Sequence, residues 1–325
     1  MKRVKFQWQN KTDDNYRGGY KMPILFILMF SIFLTSSGED IDYSKEMINF
    51  IGEIREGSKE DKIIIVQNTT ELFYKGKKAD KKLLSKIDGI SRESLFYGEE
   101  AYNKKNTSEH AQQTLKELIG IRKQGKKILL IEYTDRRWDK QKIRKYVKKY
   151  DFIGESFDAY ELNSIYKPLS GFNNKNIESL EDAENFLCLL NPEKFKSAES
   201  FIKTLENLDY DLLIIDADHM GKALSRSQVE RLKKKKNGSR RLVVAYFSIG
   251  EAENYRRYWK KQWNKTLPEW IEKENPNWRG NYIVKYWDPD WKKISRDYQK
   301  KIDSAGFDGY FLDTVDTYRY FQEKE

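Results

Sequence analysis

Nine short apolar runs, mostly β-branched or aromatic, punctuate the chain between longer segments of helical pattern. They are KIIIVQN (62–68), IDGISRESLFYG (87–98), KKILLIEY (126–133), FIGESFDA (152–159), ENFLCLLN (184–191), DLLIIDAD (211–218), LVVAYFS (242–248), NYIVKYWD (281–288) and GYFLD (309–313). Continuous runs of this kind are what parallel strands show when helices cover both faces of their sheet. The intervening segments, such as YSKEMINFIGEIREG and Ser108 to Gln124, have helical spacing. Alternation of β and α over about 280 residues predicts an α/β fold, and the size suits a (β/α)8 TIM barrel, which needs eight of the nine runs. A doubly wound sheet is the other parallel arrangement; the chain has no G-x-G-x-x-G and no P-loop, so its nucleotide-binding versions lose ground. Residues 164–182 (SIYKPLSGFNNKNIESLED) are polar, with Pro, Gly and Asn, and read as a linker or long surface loop within a single domain spanning 41–325.

Several runs end in acids. Glu251 and Glu253 follow the run at 242, Asp288 ends the one at 281, and Asp313 and Asp316 close the one at 309. Catalytic groups of parallel sheets sit just past the carboxyl ends of the strands, so these acids predict one acidic cleft. Taken singly, an acid there is more often a helix cap or a solvated loop residue. Six of the eight tryptophans crowd the same region, at 259, 263, 270, 278, 287 and 291. Some must be core; others are candidates for stacking on the apolar faces of sugars.

Composition narrows the chemistry. With 38% hydrophobic residues and 14% aromatics the chain can bury a substantial core despite 34% charge. The formal net charge of +10 invites nucleic acid as a partner, yet the lysines are scattered, and the run Lys233 to Lys236 stands beside the loop signal Asn237-Gly238. No nucleic-acid motif accompanies them, so a solvated charged face is the expectation. The lone cysteine, Cys188, sits inside an apolar run and reads as a small buried hydrophobe. His110 and His219 are the only histidines, so neither a histidine metal site nor a Ser-His-Asp triad is expected, and no cofactor is implied.

The first 40 residues read separately. A basic stretch to residue 21 precedes MPILFILMFSIFL (22–34), then Thr35, Ser36, Ser37 and Gly38. An apolar core of that length followed by small residues has the anatomy of a signal peptide, with Met22 as an alternative start and an uncleaved anchor as an alternative fate. The expected location is therefore secreted or periplasmic, with membrane contact only through this segment.

SIGEAENYRRYW, ENPNWRGNYIVKYWD and GFDGYFLDTVDTY together closely resemble glycoside hydrolase family 114, the endo-α-1,4-polygalactosaminidase-like TIM barrels. The resemblance extends to IIIVQNTTELF, IDGISRESLFYG and GKKILLIEY, covering most of residues 44–320. The order of the segments differs from the family's: its last three come first here, and YSKEMINFIGEI resembles the continuation missing after Thr317. This implies a circular permutant, with 164–182 joining the former ends. It predicts Ser44 near Glu325 and the strands at 63–67 and 309–313 side by side, as surface termini allow.

The resemblance implies a catalytic pair of carboxyl groups, Asp313 and Glu93. Asp313 would be the nucleophile or stabilising carboxylate and Glu93 the general acid/base. The apolar neighbours Ile90, Leu95 and Phe96 are expected to favour the protonated form of Glu93. Asp316 would orient Asp313, bind a hydroxyl or cap a helix. Asn68, Tyr246, Glu251, Asp288, Trp287, Glu132 and Asp216 stand at other run ends as candidate substrate-binding residues. Asp218 either joins them or opens a loop, and one of Arg256 and Arg257 either pairs with a site carboxylate or lies on a solvated face. One departure concerns the substrate: where the well-studied branch often has Glu two residues before the catalytic Asp, this chain has Phe311. The implied substrate is an α-linked, amino-sugar polysaccharide; a carbohydrate-binding relative without turnover is the alternative.

Overall fold

The computed structural model describes residues 41–59 and 61–324. The leader read at 1–40 and the terminal Glu325 lie outside them. Eight parallel strands form the barrel: β1 (Ile63–Gln67), β2 (Gly89–Glu93), β3 (Lys127–Tyr133), β4 (Ile153–Phe157), β5 (Phe186–Leu189), β6 (Leu212–Asp216), β7 (Leu242–Ser248) and β8 (Gly309–Asp313). Their order around the sheet is β4-β3-β2-β1-β8-β7-β6-β5, so each strand pairs with its neighbour in sequence except β4 with β5, and β8 pairs with β1. The end strands β4 and β5 approach each other and leave the barrel nearly closed.

Alternation along each strand divides the core in two. Ile63, Ile65, Leu129, Ile131, Cys188, Ile214, Val244 and Phe311 fill the interior. Ile64, Val66, Ile90, Leu130, Leu187, Leu213, Val243 and Leu312 face the helices. This period-two division lets one continuous apolar run serve both layers. The helices are α1 (Tyr43–Gly57), α2 (Lys81–Leu84), α3 (Glu109–Arg122), α4 (Arg137–Tyr150), α5 (Ala198–Glu206), α6 (Arg226–Leu232), α7 (Pro289–Ala305) and α8 (Thr317–Lys324). In α1, capped by Asp42, the buried positions Met47, Phe50, Ile51 and Ile54 fall on one helical face.

The helices α1 and α8 pack together, with Gln322 Nε2 donating to Ser44 Oγ at 3.0 Å. Any closed eight-stranded barrel sets its first strand beside its last, so this adjacency holds whichever order the family's segments take.

Two features add to the sequence expectation. The ninth run is a strand outside the barrel: Asn281–Val284 lies between Glu251–Glu253 and Ile271–Glu274 in a three-stranded antiparallel sheet, an excursion between β7 and α7. The second is the β4–β5 connection, which has a strap in place of a helix. Its segment 164–182 is firmly anchored near the N-terminal ends of the strands. Ile177 is fully buried, and Asn173 Nδ2 donates to Asp211 Oδ2 at 2.9 Å. Lys235 Nζ, buried in an ion pair of 2.6 Å with Asp211, also donates to Asn173 Oδ1 and the Lys175 carbonyl.

Candidate active site

A cleft of about 640 Å³ opens at the carboxyl ends of the strands. Glu93 at the end of β2 and Asp313 at the end of β8 both line it, as do Asn68, Tyr246, Glu251 and Asp316. Strands β2 and β8 flank β1. With neighbouring strands about 4.8 Å apart, the two backbones stand roughly 10 Å apart, and both side chains fall on the inward parity of their strands.

Local backbone geometry fixes these ends. Each of the three adjacent strands β8, β1 and β2 is followed at once by a non-glycine residue in the left-handed region: Thr314 (φ 59°), Asn68 (φ 64°) and Ser94 (φ 52°). Such conformations cost on the order of 1–3 kcal/mol each and persist where surrounding contacts enforce them. The contacts are present here. Asn68 Oδ1 accepts the Glu93 N–H at 3.0 Å, the Thr314 N–H donates to Asp313 Oδ1 at 2.8 Å, and Thr314 Oγ1 accepts the Gly250 N–H at 2.8 Å.

The Tyr133 hydroxyl donates to Glu93 Oε1 at 2.6 Å. The apolar pocket expected around Glu93 is not what surrounds it: Ile90, Leu95 and Phe96 belong to the outer layer against the helices. A residue three positions back on a strand points to the opposite face, which is why nearness in sequence misled here.

Glu251 is buried in the cleft wall, held by Asn275 Nδ2 at 2.6 Å and Asn281 Nδ2 at 3.3 Å, both from the excursion. Burial pushes its carboxyl up to about 8, with the charges of Asp313 and Asp316 adding to the rise and the two amides opposing it. Burial likewise raises Asp316, against the nearby Arg319. The cleft thus holds a carboxyl group that is largely neutral at pH 7.

Four candidate binding residues stand away from the cleft lining. Glu132 falls on the outward parity of β3, where its carboxylate accepts the N–H groups of Phe96 and Tyr97 and holds the β2 loop. Asp216 pairs with the buried Arg256 at 2.6 Å, beside Glu253 at 2.5 Å and Asp218 at 3.6 Å. That cluster ties β6 to the excursion. Asp288 caps α7 through the Asp290 N–H. Trp287 packs on Tyr43 and Phe321, at the junction of α1 and α8. Of the other crowded tryptophans, 259, 263, 270 and 291 stack on one another in sequence. Trp278 alone of the six lines the cleft, with Tyr133, Tyr160, Tyr246 and Tyr320.

Asn275, Trp278 and Asn281 come from the ENPNWRGN turn of the excursion. Their signal in the sequence was the density of Asn and Trp around a Pro and a Gly. Arg92 and Arg319 also line the cleft without having been singled out. Among the described residues no group of three or more His, Cys, Asp or Glu is arranged to hold a metal ion.

A nearly closed parallel barrel with carboxyl groups gathered at the C-terminal mouth has the architecture of the TIM-barrel enzymes. The family model of glycoside-hydrolase family GH114 matches residues 188–325 of the chain. Curated relatives include an uncharacterized protein of Methanocaldococcus jannaschii, 38% identical over 52% of this chain and 49% of the relative. An uncharacterized Thermotoga maritima protein is 33% identical over 40% of this chain and 42% of its own length. The chain thus spans about half the length, or less, of these relatives. A solved structure, Aspergillus fumigatus Ega3 in complex with galactosamine, aligns at 24% identity and a TM-score of 0.27 over 34% of this chain and 39% of that one.

Proposed function

We propose that the protein is a glycoside hydrolase that cleaves an α-linked, amino-sugar-containing polysaccharide, with Glu93 and Asp313 as its working carboxyl groups. The observation that carries this reading is their meeting in one cleft, from positions 220 residues apart in the chain (313 − 93). Glu93 passes a proton to the glycosidic oxygen as the bond to the anomeric carbon breaks. Asp313 forms a bond to that carbon or stabilises its positive charge, and water completes the hydrolysis, returning a proton to the pair. Tyr133 orients Glu93, and the Thr314 N–H orients Asp313.

Charge supports an amino sugar. The chain as a whole is net +10, yet five acids (Glu93, Glu99, Glu100, Asp313 and Asp316) line the cleft besides the largely neutral Glu251, against two arginines. An acidic cleft focuses cations even on a basic protein. Such a polymer lies outside the cell, where the leader read at residues 22–34 would deliver the chain.

The test is release of reducing ends from α-1,4-linked galactosamine polymers, with Asp313→Asn and Glu93→Gln as comparisons. Both substitutions are expected to abolish turnover and spare binding. Binding by the wild type with no release from any amino-sugar polymer would replace the enzyme with a non-catalytic carbohydrate binder.

A further inference from the structure

Arg92 stands beside Glu93 at the end of β2 and lines the same cleft. The other arginines packed near the barrel have acceptors, although Arg241 Nη1 and Arg256 Nη2 are buried without one. Arg256 has Glu253 and Asp216, Arg319 has Glu71, and Arg241 has the carbonyls of Leu232, Leu205 and Lys234. Arg92 has none among the described residues: its buried Nε is without a partner, and Glu99, Glu71 and Asp316 act on it only through space.

A guanidinium stays charged at any working pH and calls for acceptors, and Arg92, half-buried with its Nε fully covered, has none among the described residues. A ligand lying in the cleft would meet these unpartnered donors. Its chemistry follows from the surroundings. Glu71 is engaged by Arg319 and by the Tyr318 hydroxyl, and Asp316 and Glu99 remain as negative neighbours. An anionic substituent would meet those two acids, and a free ammonium would meet the guanidinium itself. A neutral carbonyl oxygen meets neither objection and suits a planar fork of N–H donors.

We infer that Arg92 binds the carbonyl of an acylamino group, so that the cleft selects a partly N-acylated amino-sugar polymer with an acylated unit next to Glu93. This rests on the glycosidase reading above and adds the substituent that the site selects. The acidic remainder of the cleft then serves the free-amine units of the same polymer.

The experiment compares α-1,4-linked galactosamine oligomers that are fully N-acetylated, fully free-amine or of mixed pattern, using wild type, Arg92→Gln and Arg92→Lys. For the wild type, kcat/KM on mixed or acetylated oligomers should exceed that on free-amine ones by at least about tenfold, since a bond to a charged donor is worth roughly that factor or more. Product mass spectra should place an acetylated sugar at one fixed position from the cleaved bond. Arg92→Gln should collapse the preference about 10- to 100-fold, and Arg92→Lys, which keeps charge but loses the fork, should restore it only in part. A wild-type preference for free-amine oligomers, or the same ratio in Arg92→Gln, overturns the inference while leaving the hydrolase intact. Hydrolysis of none of the three by the wild type overturns the glycosidase reading instead. In that event calorimetric affinities decide about Arg92, and equal binding of acetylated and free-amine oligomers to the wild type refutes it. Should Arg92→Gln fail to fold, the wild-type ratio and cleavage positions decide alone.

Discussion

The hydrogen bond from the Tyr133 hydroxyl to Glu93 Oε1, 2.6 Å long, joins the ends of β3 and β2 inside the cleft. It engages Oε1, so in the proposed reaction Oε2 is the oxygen available to the substrate. The ring of Tyr133 is separately held against Tyr160, with centroids 4.5 Å apart. Tyr133→Phe therefore removes the bond and keeps the packing. We expect kcat to fall about 10- to 100-fold, the worth of a hydrogen bond to a charged group, with KM nearly unchanged. Steady-state kinetics separate this from a sugar-contact role, which would raise KM instead.

Ser94 concerns backbone strain. It follows Glu93 in the left-handed region, and its hydroxyl is buried without a partner among the described residues. Glycine adopts that conformation without the penalty. Ser94→Gly is expected to stabilise the fold by about 1 kcal/mol while lowering kcat, because Glu93 is then less firmly directed. Urea unfolding gives the first quantity and turnover the second. Destabilisation by the substitution would show that the serine side chain holds the turn.

Much of this site was legible because strand parity and run ends are local properties. Glu93, Tyr246 and Asp313 fall on the inward positions of β2, β7 and β8, as the alternation of the runs requires. The same alternation turns Glu132 outward, so standing at a run end is an insufficient sign of a cleft residue. NYIVKYWD reads as a strand and contains one, but local pattern does not say that its partners are the antiparallel segments of an excursion. The tryptophans are a related case. Crowding in sequence raises the chance of mutual stacking as much as of sugar stacking, and only tertiary placement separates Trp278 from Trp270. The anchoring of 164–182 was hidden for another reason, since the Lys235–Asp211 pair that holds it comes from distant segments.

Glu251 makes stability depend on pH. Its ordinary value of 4.5 is raised to about 8 in the folded protein, chiefly by burial. Between those values the native state holds a proton that the unfolded chain has lost, so stability falls as pH rises from about 4.5 to about 8 and levels off above. The loss is at most about 5 kcal/mol, from 1.36 kcal/mol per unit. Glu251→Gln removes the titration and keeps an oxygen to accept from Asn275 and Asn281. The variant should gain on the wild type with each step in pH from 5 to 8 in parallel urea titrations, and a constant difference across that range would show that Glu251 is not the group responsible.

Trp287 and Trp278 give opposite expectations from residues nine positions apart (287 − 278). Trp287 closes the contact of α1 with α8 against Tyr43 and Phe321, well apart from the lining of the cleft. Trp287→Ala should cost about 2–4 kcal/mol of stability, the usual consequence of truncating a packed aromatic, and leave oligosaccharide affinity unchanged at a temperature where the variant is folded. Trp278→Ala should do the reverse. Its ring lines the cleft on the excursion turn, so its loss should weaken binding by about 0.5–1.5 kcal/mol, or roughly 2- to 13-fold, with little change in melting temperature. Calorimetric titration with an amino-sugar oligomer and thermal unfolding of both variants check the pair together. Weakened binding in Trp287→Ala, with Trp278→Ala unaffected, would move the substrate out of this cleft and onto the α1–α8 face.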